Sequence, residues 1–301
     1  MTASRPFPML RAMRIKQWTK NLIVFAAFIF ALGDRQQQVD WHVFGVVFQA
    51  MLAFCLISSG VYLINDARDL ALDRAHPIKQ RRPMAAGEIN VLSSLVLAGV
   101  LLATGLAWSG WLARDLLWIT GGYVVMQLAY SLGLKQVVLV DLFVIAAGFV
   151  LRALAGAVVI HVAISSWLLL CAMLLALFLA LCKRRHEKVV MGHRREAPTR
   201  PNLEQYDERV LDQLIAIVSS ATLVCYALYT LWPDTVAKFG TDRLVLTVPF
   251  VVFGLFRYLD LVYRHERGDR PEQILLTDLP LLVDLALYGA MVLVILFSAR
   301  R

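Results

Sequence analysis

The sequence predicts an all-α, polytopic membrane protein in which a single integral membrane domain, residues 1–301, crosses the bilayer nine times. The chain is 59% hydrophobic, against the roughly 45–50% of soluble domains, and its mean hydropathy is +0.65. Only 17% of the residues are charged. Apolar runs recur along the whole chain, most of them close to the roughly 20 residues that one membrane-spanning helix needs. These observations exclude a soluble globular protein.

The nine predicted helices coincide with nine apolar runs. In chain order they are residues 21–33, 43–64, 91–111, 116–134, 138–160, 167–181, 214–232, 244–259 and 279–297. The first run is short and follows basic residues, as in a signal peptide. However, Trp18 lies at the expected membrane interface, and the helix can begin within residues 15–20. We therefore count this run as a span.

Basic residues are distributed unequally between the connections. With the N-terminus in the cytoplasm, most of the 30 Lys and Arg residues fall on the cytoplasmic side. The exceptions are Arg35, Arg114, Arg152, Lys238, Arg243, Arg300 and Arg301. An odd number of crossings then places the C-terminus outside. The net charge of +8 therefore indicates a multi-pass protein of the inner, cytoplasmic membrane and not one that binds nucleic acid.

The two longest connections, residues 65–90 and 183–211, both lie on the predicted cytoplasmic side. Binding and catalytic residues are concentrated on loops that a rigid scaffold positions. We therefore expect these two connections to carry the active site.

The first long connection opens with carboxylates at helical spacing. Asp66, Asp69 and Asp73 are spaced i, i+3, i+7, so on a helix continuing from the second span they share one face with Asn65. Like charges on one stripe repel one another unless a cation lies between them. Oxygen ligands without His or Cys are those that Mg²⁺ prefers. The sequence therefore predicts a Mg²⁺ site formed by Asn65, Asp66, Asp69 and Asp73.

A basic run follows the carboxylates. Lys79, Arg81 and Arg82 are suited to bind the charge that a metal leaves on a diphosphate. A solvated helix end, with its acids balanced by Arg68 and Arg74, is the alternative interpretation.

Several motifs resemble a known family. The pattern N-D-x-x-D-x-x-x-D at 65–73, R-P-M-A-A-G at 82–87 and the nine crossings resemble the UbiA superfamily of intramembrane prenyltransferases, whose first aspartate motif binds Mg²⁺ and a substrate diphosphate. Within this superfamily, the sequence most resembles one branch, the decaprenyl-phosphate phosphoribosyltransferases. That similarity is carried by Q-W-T-K-N at 17–21, Y-S-L-G-L-K at 130–135, K-R-x-x-E at 183–187 and P-E-x-x-L-x-x-D at 271–278. The resemblance implies a UbiA-like bundle.

One segment departs from ordinary members of the superfamily. They carry a second aspartate-rich motif after the sixth crossing, where this chain has K-R-R-H-E-K at 183–188. Cations bind phosphate oxygens directly, at about 1.5–3 kcal/mol for each charge-assisted contact. Lys183 and Arg184 are therefore predicted to bind substrate phosphate, although the positive-inside rule alone also explains them. Glu187 is either a ligand or an i, i+4 partner of Lys183.

Two ionisable residues lie in or beside the fifth span. Asp141 and Arg152 are eleven residues apart, which places them on one helical face about 16 Å from each other, too far to pair. Burying such a group costs at least ~2.5–3.5 kcal/mol. Both are therefore predicted to bind substrate. The alternative is an Arg152 that snorkels to the interface or pairs with an acid that the sequence does not identify.

Four further residues are candidates for binding substrate: two are expected at the cytoplasmic mouth and two on the helix that enters the membrane first. Tyr130 and Lys135 precede the fifth span, and the resemblance implies that Lys135 meets phosphate. Lys16 and Lys20, spaced i, i+4, either bind an anionic head group of the substrate or anchor the first span to anionic lipid.

The resemblance implies transfer of a 5-phosphoribosyl group from phosphoribosyl diphosphate to a polyprenyl phosphate lipid, with release of diphosphate. Mg²⁺ is the expected cofactor, both substrates and the membrane are the expected partners, no nucleic acid is involved, and a homo-oligomer is left open. The predicted catalytic residues are Asp66, Asp69, Asp73, Lys135 and Tyr130. Two alternatives remain: an aromatic prenyltransferase with a polyprenyl diphosphate donor, which lacks the basic segment at 183–188, and a transporter of an anionic solute, which requires charges at mid-membrane.

Overall fold

The computed structural model describes residues 7–34, 37, 39–76, 79–194, 203–264, 274 and 277–300, and within these ranges it is helical without strands. The α-helices are α1 (Pro8–Ala12), α2 (Ala26–Gly33), α3 (Trp41–Arg68), α4 (Leu70–Ala75), α5 (Val91–Leu112), α6 (Arg114–Leu132), α7 (Val140–Val159), α8 (Ser166–Arg194), α9 (Glu208–Leu231), α10 (Pro233–Phe239), α11 (Val248–Arg264) and α12 (Leu279–Arg300). Residues 77–78 and 195–202 of the two long connections, and most of the motif at 271–278, lie outside the described residues.

Among the described residues, eight helical segments are long and apolar enough to cross a membrane. They are Ile15–Gly33, α3, α5, α7, Ser166–Val189 of α8, α9, Arg243–Arg264 and α12. The remaining predicted span, residues 116–134 and the fourth in chain order, corresponds to α6, a helix of 19 residues whose polar residues include Thr120 and Gln127. The prediction of an all-α, multi-pass membrane protein is confirmed.

The chain divides into two compact units. The first unit comprises Met1–Phe28, Asp40–Lys135 and Leu151–Ala163, and the second comprises Ile29–Val39, Gln136–Val150 and Ile164–Arg301. The sequence prediction of one integral membrane domain rested on apolar runs. Such runs indicate where a chain crosses the membrane but not how its helices group into units.

In the first unit α3 is the central helix. Phe54 and Ile57 of α3 are fully buried in a core with Tyr123 of α6. Close approach of α3 and α5 depends on glycine: a Cβ added at Gly105 would lie 3.1 Å from the Ala53 carbonyl oxygen. Small residues are the usual means by which membrane helices pack closely. The closely packed pair holds the carboxyl end of α3 in a fixed position.

The first crossing begins as a 3₁₀ helix, Ile15–Phe25, of 11 residues. Runs of this length are uncommon because 3₁₀ hydrogen bonds have poorer geometry. Contacts with α3 stabilise it: Trp18 Nε1 donates to Ser59 Oγ at 3.0 Å, and the same hydroxyl donates to the Met13 carbonyl at 2.9 Å. The segment therefore begins earlier than its apolar run, as expected, and is fixed by polar contacts.

The second unit is built around α8 and α9. Phe178 of α8 and Ile215 of α9 are buried in one cluster with Tyr258 of α11. The cluster continues to Leu281 of α12. This packing holds residues 183–188, the basic segment that was predicted to lie on the cytoplasmic side, in the second half of α8.

Candidate active site

The acidic segment does not form the uninterrupted helix that its spacing predicts. Helix α3 ends at Arg68, Asp69 adopts φ −87° and ψ 8°, and α4 begins at Leu70. The prediction of one continuous helical stripe is therefore wrong at Asp69. Asp66 and Asp73 share Arg82, whereas Asp69 pairs with Lys135. The four oxygen-bearing side chains of this segment therefore form two pairs.

The first pair consists of Asp66 and Asp73, both buried. Arg82 Nη1 donates to Asp66 Oδ1 at 3.1 Å and to Asp73 Oδ2 at 2.5 Å. Arg14 Nη2 forms a second ion pair with Asp66 Oδ1. Because one guanidinium nitrogen contacts both carboxylates, their oxygens converge on a single position.

The second pair consists of Asn65 and Asp69. Asn65 Nδ2 donates to Asp69 Oδ2 at 3.2 Å, while Asn65 Oδ1 accepts from Ser131 Oγ at 3.0 Å. Lys135 forms an ion pair with Asp69 Oδ1. The loop after α6 therefore brings Lys135 to the acidic segment, and Tyr130 lies partly buried near the end of α6.

The donor set fits a hard divalent cation that is bound together with a phosphorylated substrate. In the part of the chain that the structure describes, no three His, Cys, Asp or Glu residues are grouped to hold a metal by themselves. Mg²⁺ in such sites usually has one or two protein carboxylates, with substrate phosphates and water as the other ligands. Asp66 and Asp73 supply two converging carboxylates, which meets that requirement.

The remaining predicted basic residues of this unit differ in position. Arg82 points to the acids, whereas Arg81 is exposed and its carbonyl accepts a hydrogen bond from Arg11 Nη2 at 3.4 Å. Lys16 is exposed and Lys20 is partly buried on the 3₁₀ helix. The structure thus brings Arg82 into the acidic cluster and leaves Arg81 and Lys16 at the surface.

Arg152 is buried in the core of the first unit. Its Nε donates to Asn21 Oδ1 at 2.7 Å, its Nη2 donates to the Tyr123 hydroxyl at 2.8 Å, and its guanidinium lies 4.8 Å from the centre of the Tyr123 ring. These contacts place Arg152 among polar and aromatic groups that accept a cation. They join α7 to the first crossing.

A second polar cluster lies in the second unit. Asp141 is fully buried and Arg184 is 1% exposed, with Arg184 Nη2 at 2.9 Å from Asp141 Oδ2. Arg184 Nη1 also donates to Glu187 Oε2 at 2.5 Å. Both acids therefore neutralise Arg184, while Lys183 is only partly buried.

Tyr206 completes this second cluster. Its hydroxyl donates to Asp141 Oδ1 at 2.7 Å and accepts from the Leu139 backbone N–H at 2.8 Å. Burial, together with the hydrogen bond to Asp141, raises the pKa of Tyr206 above its usual value, so the phenol remains a donor at neutral pH. The residue spacing around Tyr206 does not predict this contact, because Asp141 lies 65 residues away in the sequence.

Replacing Tyr206 by Phe is expected to lower the free energy of unfolding by about 1–2 kcal/mol, because the change removes one donor to Asp141 and one acceptor for Leu139. The check is the temperature at which the detergent-solubilised protein loses its monodisperse peak. Tyr263→Phe is the matched control, since Tyr263 bonds to Asp212 at an exposed position. Equal effects of the two changes would contradict the prediction.

Comparisons with known proteins agree with the fold. The profile of the UbiA prenyltransferase family matches residues 22–277. A decaprenyl-phosphate phosphoribosyltransferase of Mycolicibacterium smegmatis is 35% identical over 298 residues, 96% of this chain and 93% of that protein. One from Corynebacterium glutamicum is 34% identical over 281 residues, 90% of this chain and 81% of that protein.

The fold has solved counterparts. The structure of a UbiA homologue from Archaeoglobus fulgidus bound to GPP and Mg²⁺ superimposes with a TM-score of 0.72 at 19% identity, covering 96% of this chain and 99% of that one. The match of the family profile over most of the sequence, and relatives of similar length above 30% identity, agree with this likeness. The chain therefore belongs to the UbiA prenyltransferase family.

Proposed function

We propose that this protein is an intramembrane phosphoribosyltransferase that transfers the 5-phosphoribosyl group of phosphoribosyl diphosphate to a polyprenyl phosphate. The observation that carries the proposal is similarity over nearly the whole chain to proteins named decaprenyl-phosphate phosphoribosyltransferase. The convergence of Asp66, Asp73 and Arg82 supports it, because paired carboxylates and a cation are suited to a metal-bound diphosphate.

The reaction exchanges one bond at C1 of the ribose for another. The bond from C1 to the diphosphate oxygen breaks, and its electron pair leaves with the diphosphate. An oxygen of the polyprenyl phosphate forms the new bond to C1. No redox change occurs, and a phosphate monoester, with a second pKa of about 6, is already ionised near neutral pH. The protein therefore has to position the two substrates and stabilise the leaving charge.

Asp66 and Asp73 are the proposed metal-binding pair, with Asn65 and Asp69 as the neighbouring oxygen ligands. A Mg²⁺ ion held by these residues would neutralise the negative charge that develops on the leaving diphosphate. Arg82 holds both carboxylates in one orientation and binds phosphate oxygen. Lys135, adjacent to Asp69, supplies a second cation to the substrate phosphates.

The other predicted substrate-binding residues support these groups. Tyr130 and Lys20 lie partly buried, and Lys16 and Arg81 lie exposed, in the first unit; we assign all four to substrate phosphate. Lys183 is assigned the same role in the second unit. Arg184 is already paired with Asp141 and Glu187. We therefore assign these three residues to fixing the position of Lys183. Arg152 is assigned to fixing the first crossing, through its hydrogen bond to Asn21.

We place the N-terminus, the acidic cluster and both long connections on the cytoplasmic side of the inner membrane, with the C-terminus outside. The excess of Lys and Arg on those connections supports this orientation. The phosphoribosyl donor is charged and water-soluble, so it reaches such a site from the cytoplasm without crossing the bilayer.

The test is turnover by purified protein in detergent. Labelled phosphoribosyl diphosphate, a polyprenyl phosphate and Mg²⁺ are expected to yield labelled lipid and free diphosphate, and a chelator such as EDTA is expected to stop the reaction until excess Mg²⁺ is restored. Prenylation of an aromatic acceptor from a polyprenyl diphosphate, without labelled phosphoribosyl lipid, would instead show the aromatic prenyltransferase. A transporter would give neither product in detergent.

A further inference from the structure

Arg14 is held in an uncommon backbone conformation between α1 and the 3₁₀ helix. Its φ of 55° and ψ of 47° lie in the left-handed region, which few residues other than glycine adopt. Such conformations persist where the surroundings determine them, and they are frequent at functional sites. The neighbouring Met13 carbonyl is fixed by Ser59 Oγ at 2.9 Å. The backbone is therefore held so that the Arg14 side chain leaves the N-terminal segment in one direction.

That direction leads to the acidic cluster. The Arg14 guanidinium lies 4.9 Å from the centre of the Tyr62 ring, and its Nη2 forms the ion pair with Asp66 Oδ1. The side chain of Arg14 is 24% exposed, against 4% for Asp66. Arg14 therefore covers the carboxylate on the side that faces out of the protein.

Asp66 Oδ1 contacts two guanidinium groups, from Arg14 and from Arg82. A divalent cation on the same oxygen would be repelled by both, since like charges at such distances interact strongly outside bulk water. A phosphate anion beside that cation offers each guanidinium a new partner, and arginine binds phosphate by two parallel hydrogen bonds. If the Arg14 side chain moves from Asp66 to the phosphate, the repulsion of the cation is relieved and the guanidinium keeps an anionic partner.

We propose that Arg14 is a further substrate-binding residue, which leaves Asp66 when the metal and the diphosphate of the donor bind and then holds a phosphate oxygen. The inference rests on the proposed function, since it names the diphosphate of that same site as the ligand. It adds the N-terminal segment to the donor site.

Anchoring of the N-terminal segment is the competing role for Arg14. That role is already filled by other contacts, because Trp18 and Met13 both bind Ser59 and Arg11 Nη1 pairs with Glu88 at 2.7 Å. Arg11 therefore provides a matched control. It is an arginine of the same segment that also forms an ion pair, and none of its described contacts is with the acidic cluster.

The experiment compares Arg14→Gln with Arg11→Gln in two binding measurements on the purified full chain. Mn²⁺ binding without substrate, followed by electron paramagnetic resonance, is expected to be several-fold tighter in Arg14→Gln because a competing cation has gone. Inorganic diphosphate in the presence of Mn²⁺ is expected to bind about 10- to 100-fold more weakly, the loss of one charge-assisted contact. Arg11→Gln is expected to change both affinities less than about twofold, on the scale of an exposed ion pair.

Arg14→Lys is the rescue variant and is expected to recover part of the diphosphate affinity, since it keeps the charge and loses the planar fork. A fall of both affinities together in Arg14→Gln, or values equal to those of Arg11→Gln, would overturn the inference and leave anchoring as the role. Inorganic diphosphate makes this test separable from the proposed function. If Arg14→Gln binds Mn²⁺ more tightly and diphosphate more weakly, but the protein forms no phosphoribosyl lipid, the proposed function is wrong while Arg14 remains a diphosphate ligand.

Discussion

Substitution of Asp66 by Asn is expected to reduce turnover by about 10²–10³-fold or more, while the fold is kept. The carboxylate is 4% exposed and accepts from both Arg14 and Arg82, so its charge fixes the cations and the proposed metal that meet the leaving diphosphate. Removing a single group that stabilises developing charge typically has an effect of this size. The measurement is the initial rate of labelled lipid formation at saturating Mg²⁺.

The fold should tolerate this substitution because both guanidinium groups remain about a quarter exposed and are solvated when the carboxylate charge is lost. The unfolding transition is expected to move by no more than about 1–2 kcal/mol. Asp115→Asn, the same change at an exposed position in the first turn of α6, is the control and should retain full activity. An active Asp66→Asn variant would remove Asp66 from the proposed site.

Substitution of Asp141 by Ala is expected to have the largest effect on stability, about 3–5 kcal/mol. Asp141 is fully buried and its partner Arg184 nearly so, so the substitution breaks a buried ion pair and leaves the Arg184 guanidinium with Glu187 as its remaining acid. Removing one partner of a buried ion pair is strongly destabilising. Loss of Asp141 also removes the acceptor of the Tyr206 hydroxyl. The measurement is the fraction of protein that stays monodisperse after heating in detergent.

The control for Asp141 is Asp212→Ala. Asp212 pairs with Arg185 at 2.5 Å but is 39% exposed, so its loss should reduce stability by no more than about 1 kcal/mol. The double variant Asp141→Leu with Arg184→Met should recover most of the stability, because apolar side chains of similar volume often replace a buried ion pair without loss. If the double variant were as unstable as Asp141→Ala, the buried guanidinium that has lost its Asp141 partner would not be the cause.

The sequence predicted the helical class, the positions of the spans and the family because these depend on local composition and motifs. Apolar runs determine which segments enter the membrane, and eight of the described segments meet that criterion. The motif at 65–73 is likewise recognised from residues that are close together in the sequence. The comparisons confirm the family. Helix α6 was also located, although its polar residues weaken the signal of a span.

The partners of the charged residues could not be predicted from spacing. The ion pairs of Asp66 with Arg14 and of Asp69 with Lys135 join residues 52 and 66 positions apart, so the division of the acidic stripe into two pairs depends on tertiary packing. Arg184 was assigned to phosphate by its charge alone, whereas burial beside Asp141 and Glu187 gives it two protein partners. Separation of Asp141 from Arg152 was predicted, but the partners of Arg152 were not.

The acidic cluster of the first unit pairs three carboxylates, Asp66, Asp69 and Asp73, with three cations, Arg14, Arg82 and Lys135. The cluster thus carries no net charge of its own, which removes much of the penalty for bringing aspartates to the membrane boundary during biosynthesis. Insertion and folding of this region therefore do not have to wait for a divalent ion. With Mg²⁺ as the proposed cofactor, scarcity of magnesium in a growing cell would slow turnover without reducing how much of the protein accumulates in the bilayer.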